Sequence, residues 1–356
     1  MKKKIFLLLM FITSVNIHSQ TSGASVMAEK FLDVVQKNSY RGKDIRWDSV
    51  RPAFIAETKG ITDVNALKPL FEKLLRSLKD GHSLLLFEEQ NKNSDSEWDQ
   101  AEKIAKLTDK EVGNSPKNFM HYMVEGKYAY INIPPVIYEK RKYVDSIGVQ
   151  LRLLDSEKPS AWIIDLTENN GGDIMPMIWQ FASLLDSAVT YSYVDAEGNE
   201  TAAEVRYTAE TDDDARYFKM YDLEPGKVKP VQLIHTKIPV IILTSRLTAS
   251  SGEFFAAHFK GQKNVKLVGQ KTNGQTSGNA PFEISRNCMV MLTTSVLKDR
   301  TGKIYKIGEG IAPDITFTVP DTDPAKKLTY KEQLLQIKKA KEKYIEQAIM
   351  AIEKEG

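Results

Sequence analysis

The sequence has 356 residues, 42% of them hydrophobic, which is chain enough for two domains or for one large domain with an appendage. Its 49 Lys and Arg nearly balance 47 Asp and Glu, and no basic block stands out beyond the N-terminus, which argues against a nucleic-acid partner. The single cysteine, Cys288, excludes an intrachain disulfide, and no His/Cys cluster offers a metal site, so neither metal nor cofactor is expected.

Lys2, Lys3 and Lys4 precede a short apolar run, Ile5 to Val15, and a polar stretch in which Ser19 offers a small residue for cleavage. This is the layout of a secretory signal peptide over residues 1–22. The run is shorter than the roughly 20 apolar residues a spanning helix needs, so no stable membrane insertion is expected after cleavage. Export without disulfides fits a bacterial periplasm or cell exterior.

Residues 23–87 read as an N-terminal helical domain. Met27, Phe31, Val34 and Val35 recur at helical spacing, as do Leu67, Leu70, Phe71, Leu74, Leu75 and Leu78. Residues 88–120 are polar and charged and read as a linker, with a short helix from Trp98 to Leu107. From residue 121 to 325 the pattern changes. Tyr128 to Ile133, Ala161 to Leu166, Val240 to Thr244 and Val265 to Val268 are strand candidates, the middle ones continuous apolar runs of the kind found in buried parallel strands. Between them lie a helical face from Val144 to Leu154, a helix from Asp173 to Leu185, a hairpin around Glu197-Gly198-Asn199 and a helix from Glu253 to Phe259. Phe282 to Thr294 and Ile304 to Lys306 are strand-rich, and residues 326–356 hold one amphipathic helix, Lys331 to Lys354. Strands alternating with helices define an α/β core.

Ligands of such sheets bind beyond the carboxyl ends of the strands. Two strand-to-helix junctions carry chemistry there. In Asp165-Leu166-Thr167-Glu168-Asn169-Asn170-Gly171-Gly172, a glycine pair can bring backbone N–H groups to an anion or oxyanion, or can serve as an ordinary tight loop. In Thr248-Ala249-Ser250-Ser251-Gly252-Glu253, a serine at a helix start is either a nucleophile beside the positive end of the dipole or an N-cap. A serine nucleophile needs a base. Of the five histidines, His18 is in the leader and His258 is two helical turns beyond Ser250, whereas His82 and His121 are equally placed by spacing alone.

In this order, these pieces resemble the tail-specific (C-terminal processing) protease, tricorn and interphotoreceptor retinoid-binding protein family, from about Trp47 onward. Asp80-Gly81-His82-Ser83 is similar to the family's D-x-H-[ST] element, Ile163 to Gly172 to its I-I-D-L-R-x-N-x-G-G motif, and Thr248 to Glu253 to its nucleophile motif, which selects Ser250 over Ser251. Leu267-Val268-Gly269-Gln270 and Gly310-Ile311-Ala312-Pro313-Asp314 match two later elements. The resemblance implies a crotonase/ClpP-like β-β-α catalytic core behind the helical domain. It also implies a serine endopeptidase acting on peptide or unfolded protein, and no PDZ domain fits the interval between residues 87 and 127. Gln275 stands where the processing proteases carry a lysine base, so the resemblance turns to the Ser–His branch and to His82. That branch implies an orienting acid near the last motif, for which Glu309 is the nearest candidate and Asp80 and Asp314 are alternatives. Gly171, Gly172 and Ser251 would supply the oxyanion donors. Thr167 replaces the arginine of the Asp-Leu-Arg motif. The competing expectation is a catalytically inactive peptide- or ligand-binding pseudoprotease. An α/β-hydrolase esterase would need a histidine after His258, and a crotonase-type enzyme would not use Ser250.

Overall fold

Two sheets meet around the junctions singled out above. The computed structural model describes residues 23–87, 120–136, 140–205, 215, 218–219, 229–319 and 328–354. The expected leader, nearly all of the expected linker and its short helix lie outside the described residues.

The N-terminal helices are α1 (Gly23–Asn38), α2 (Trp47–Thr58) and α3 (Lys68–Ser77). Phe31 and Phe71 stack with ring centroids 3.9 Å apart and Phe54 joins them at 6.1 Å, all within one apolar cluster. That cluster also takes in one face of a second element, the sheet formed by β1 (Leu84–Phe87), β5 (Val189–Asp195), β6 (Glu200–Glu204), β9 (Ser277–Ser285) and β10 (Cys288–Asp299). β10 is its spine, pairing antiparallel with β1, β9 and β5. Cys288, Val290 and Leu292 alternate toward the helices, as period-two side chains must.

The second sheet has the order β11-β8-β7-β4-β3-β2. Its strands are β2 (His121–Val124), β3 (Tyr128–Asn132), β4 (Ala161–Asp165), β7 (Val240–Thr244), β8 (Val265–Gly269) and β11 (Ile315–Thr316). All neighbours are parallel except β2 against β3. A parallel sheet must be covered on both faces. Ala129, Ile131, Trp162, Ile164, Val240 and Ile242 pack under α4 (Lys140–Ser156), α5 (Ile174–Ile178) and α6 (Ser251–Phe259). Tyr130, Ile163, Ile241 and Leu243, on the opposite face, pack under α7 (Tyr330–Lys339) and α8 (Lys341–Glu353). The architecture is the expected mixed α/β core behind a helical N-terminal region.

Three local expectations need correction. The tail is two helices, because Ala340 leaves the helical well (φ −89°, ψ 3°) and redirects the chain. The helix expected from Asp173 is one α-helical turn followed by a 3-10 helix, Trp179–Leu184. Ile304 forms only a single bridge, to Lys298.

Candidate active site

β4 and β7 are adjacent parallel strands, so their carboxyl ends bring the 166–172 loop and the 245–250 turn together. Ser250 directly precedes α6 with φ 49° and ψ −121°, a conformation rarely adopted by a residue with a Cβ. Such strain persists only where neighbours over-determine it. Here the Ser250 carbonyl accepts the N–H groups of Glu253 and Phe254, and the Ser250 N–H donates to Glu253 Oε2 at 3.1 Å.

The first sheet delivers the partner. His82 lies two residues before β1, and its Nε2 stands 3.1 Å from Ser250 Oγ, across 168 residues of sequence. Its Nδ1 stands 2.9 Å from Ser277 Oγ, at the start of β9. The turn is set by buried Asp80, whose Oδ1 accepts the N–H groups of His82 and Ser83 and whose Oδ2 accepts Ser83 Oγ–H. Asn279 Nδ2 donates to the His82 carbonyl at 2.8 Å. Burial lowers the pKa of His82, and the Asp80 charge and the Ser277 backbone oppose that shift without reversing it. The ring is therefore held neutral at neutral pH, able to accept a proton.

The glycine pair touches this serine. Gly171 (φ 122°) runs so close that a Cβ there would lie 3.0 Å from Ser250 Cβ, and one on Gly172 (φ 102°) would lie 2.2 Å from the Val136 carbonyl oxygen. Only glycine fits either position. The three expected donors do not stand alike. The Gly171 N–H donates to Asn169 Oδ1 at 3.0 Å, whereas no described residue accepts from the N–H of Gly172 or Ser251. Ser251 Oγ donates to the Gly172 carbonyl at 2.5 Å, tying the two segments together.

Glu309 is not brought to this cluster. Its carboxylate pairs with Lys303 Nζ at 2.8 Å and accepts the Lys306 N–H, and only its backbone carbonyl reaches toward the site, accepting Thr276 Oγ1–H. The ring nitrogen assigned to an acid meets the Ser277 hydroxyl instead. Asp314 is held by Lys260 and the Leu267 N–H. Asp80 is the nearby carboxylate: its hydrogen bonds go to the His82 main chain and to Ser83, and only its charge reaches the ring.

Two residues with large roles were not singled out in the sequence. Glu253 is fully buried. Its Oε1 accepts Thr272 Oγ1–H and the Gly274 N–H, so one carboxyl joins the nucleophile turn to the segment leading to Ser277. Burial outweighs these donors and raises its pKa to about 7. The folded protein thus binds this proton more tightly than the unfolded chain. The resulting stabilisation is full below the ordinary glutamate value and is lost as pH rises through about 7. Relative to Glu253→Gln, wild-type stability is expected to fall by about 3 kcal/mol between pH 4.5 and 8. Chemical denaturation across that range measures it, and a constant difference would show that the carboxyl titrates normally.

Lys341 is the other. From α8 its Nζ reaches Asp165 Oδ2 (2.7 Å), Thr167 Oγ1 (2.7 Å) and Glu168 Oε1 (2.9 Å), while Lys338 pairs with Glu168 at 2.8 Å. Tyr130 O–H also donates to Asp165 Oδ2. These cations and donors hold the buried Asp165 and half-buried Glu168 carboxyls below their ordinary pKa values against the cost of desolvation. Where the family motif has an arginine after Asp-Leu, this chain has a threonine hydroxyl and a lysine from its last helix.

The fold and the comparison with known proteins together define the class, a serine peptidase. The model described as peptidase family S41 matches residues 127–317, more than half of the sequence, and the chain belongs to that family. A nisin-resistance protein from Lactococcus lactis subsp. lactis is 30% identical over 192 residues, 54% of this chain and 57% of that protein, so the match spans less than two thirds of the relative. Among solved structures, a lipoprotein from Streptococcus agalactiae has a TM-score of 0.64 at 23% identity, covering 89% of this chain and 96% of that one. The photosystem II D1 C-terminal processing protease has a TM-score of 0.55 at 12% identity, covering 89% and 97%. Both likenesses concern the fold.

Proposed function

We propose that the protein is an exported endopeptidase that cleaves peptide bonds through an acyl-enzyme, with Ser250 as nucleophile and His82 as general base. The observation that carries this reading is the 3.1 Å approach of Ser250 Oγ to His82 Nε2 beside the glycine turn. Ser250 Oγ adds to the scissile carbonyl carbon as its proton passes to Nε2. The C–N bond then breaks as Nε2 returns that proton to the leaving amine. Water repeats the sequence on the ester. Ser277 orients the ring through Nδ1, in the place an acid holds in a triad. The Gly172 and Ser251 N–H groups face the oxyanion, each worth roughly 3–4 kcal/mol in the transition state.

Peptide or unfolded protein is the substrate class that the family supports. Export rests on the lysine-led apolar leader and on the lipoprotein name of a structural relative. Among the described residues no helix is long and apolar enough to cross a membrane. Nisin enters the substrate panel because of the Lactococcus relative's name.

A fluorophosphonate probe tests the assignment. Native protein is expected to be labelled on Ser250, and Ser250→Ala is expected to take no label. A native protein that stays unlabelled, and that binds peptides without cleaving them, would make the chain a pseudoprotease.

A further inference from the structure

The helical domain covers only one face of the first sheet. On the other face, the register sets Leu84 opposite Met291 and Leu86 opposite Met289, and Met291 opposite Pro281 of β9. Directly opposed residues of an antiparallel pair share a face, so these five side chains form one strip. Leu84 is 39% exposed, Leu86 49% and Met289 37%. Pro281 is also exposed and Met291 half-buried. On the same sheet, β5 has its outer face covered, with Tyr191 and Tyr193 packed on Phe254 of α6. The β1–β10–β9 end has no such cover among the described residues.

The strip is continuous with the candidate site. Two residues back from Leu84 the chain is at His82. The β9–β10 pair next after Pro281 and Met291 on this face is Asn279 and Thr293, and Asn279 holds the His82 carbonyl. An apolar surface leading away from a nucleophile and its base is placed to receive side chains flanking the bond to be cut. Among the described residues of this face no charge interrupts it until Glu283, opposite Met289 at the far end.

We infer that Leu84, Leu86, Pro281, Met289 and Met291 form a substrate subsite. It would bind a stretch of polypeptide carrying large apolar side chains on one side of the scissile bond. The inference rests on the proposed peptidase reading and names its substrate preference. Burying one leucine-sized side chain there would favour binding by about tenfold or more.

The test uses the full chain carrying Leu86→Asp or Met289→Lys, both at exposed positions, with native-like melting as the folding control. Peptides carry Leu or Phe, or Ser or Gly, at positions on each side of the cut. The expected result is that kcat/KM for apolar peptides drops ~10-fold or more in each variant, while polar peptides and fluorophosphonate labelling of Ser250 are unaffected. Equal losses for both peptide classes, or no loss for either, would overturn the inference. Peptide affinity measured on Ser250→Ala protein reads the strip without chemistry, so failure of the peptidase reading and failure of the subsite are separate outcomes. A wild-type dimer that these variants dissociate would assign the strip to a second copy of the chain and also overturn it.

Discussion

Ser250→Ala is expected to lower kcat for peptide hydrolysis by about 10⁶-fold, His82→Ala by a similar factor, and the double variant by no more than either alone. The reason is geometric. Ser250 and His82 share one hydrogen bond, 3.1 Å long, and in the proposed mechanism the transition state needs both ends of it. Without Oγ there is nothing for the imidazole to deprotonate, and without the imidazole the serine keeps its proton at neutral pH. What survives is the rate that substrate binding and the proposed oxyanion donors, the Gly172 and Ser251 N–H groups, supply on their own. Single-turnover rates on one peptide with the three purified variants measure this. Multiplicative losses in the double variant would mean that the two side chains act independently, and substantial activity in Ser250→Ala would remove the acyl-enzyme mechanism.

Lys341→Met is expected to destabilise the fold by about 3–5 kcal/mol at pH 7, the range for removing one partner of a buried ion pair. Methionine fills much the same volume but leaves Asp165, whose side chain is 1% exposed, without its closest cation. Among the described residues, Glu168 keeps only Lys338. Both carboxyls are held below their ordinary pKa values in the wild type, so each contributes stability that is present above the unfolded value and is lost on acidification. In the variant both carboxyls take up protons more readily. The penalty is therefore expected to shrink as the pH falls toward 4.5. Urea denaturation of both proteins at the two pH values checks this. A loss below about 1 kcal/mol would put the contact in the class of surface pairs. A folded remainder is also expected to show reduced kcat, since Thr167 and Glu168 begin the loop that ends in Gly171 and Gly172.

Much of this arrangement was legible in the residues, for identifiable reasons. The parallel strands announce themselves as unbroken apolar runs, and two of them end in small-residue junctions, which is where a sheet of this kind exposes backbone. Ser250 and His82 could each be named from local motifs. Their separation could not, because it depends on β1 pairing with a strand some 200 residues later. Ser277 carried no signal of its own, since a hydroxyl near a glycine in a strand is ordinary, and only the register of β9 places it on Nδ1. Glu309 is suggested only by its position in the chain beside Gly310, and the nearer charge of Lys303 holds its side chain elsewhere. Lys341 left an indirect trace. Asp165-Leu166 followed by threonine rather than arginine leaves a buried carboxylate without the cation the family motif places two residues on, and such a carboxylate implies a cation arriving from a distant segment.

On the proposed mechanism, the pairing of β1 with β10 sets when the site can first act. During synthesis His82 leaves the ribosome long before Cys288–Met291, the stretch that pairs with β1, exists, and Lys341 emerges later still. An unfinished copy thus lacks the strand that aligns β1 and holds His82 beside Ser250, and on the proposed mechanism hydrolysis is withheld from the growing polypeptide. Chains stalled short of β10 should accordingly ignore the fluorophosphonate that marks the finished molecule.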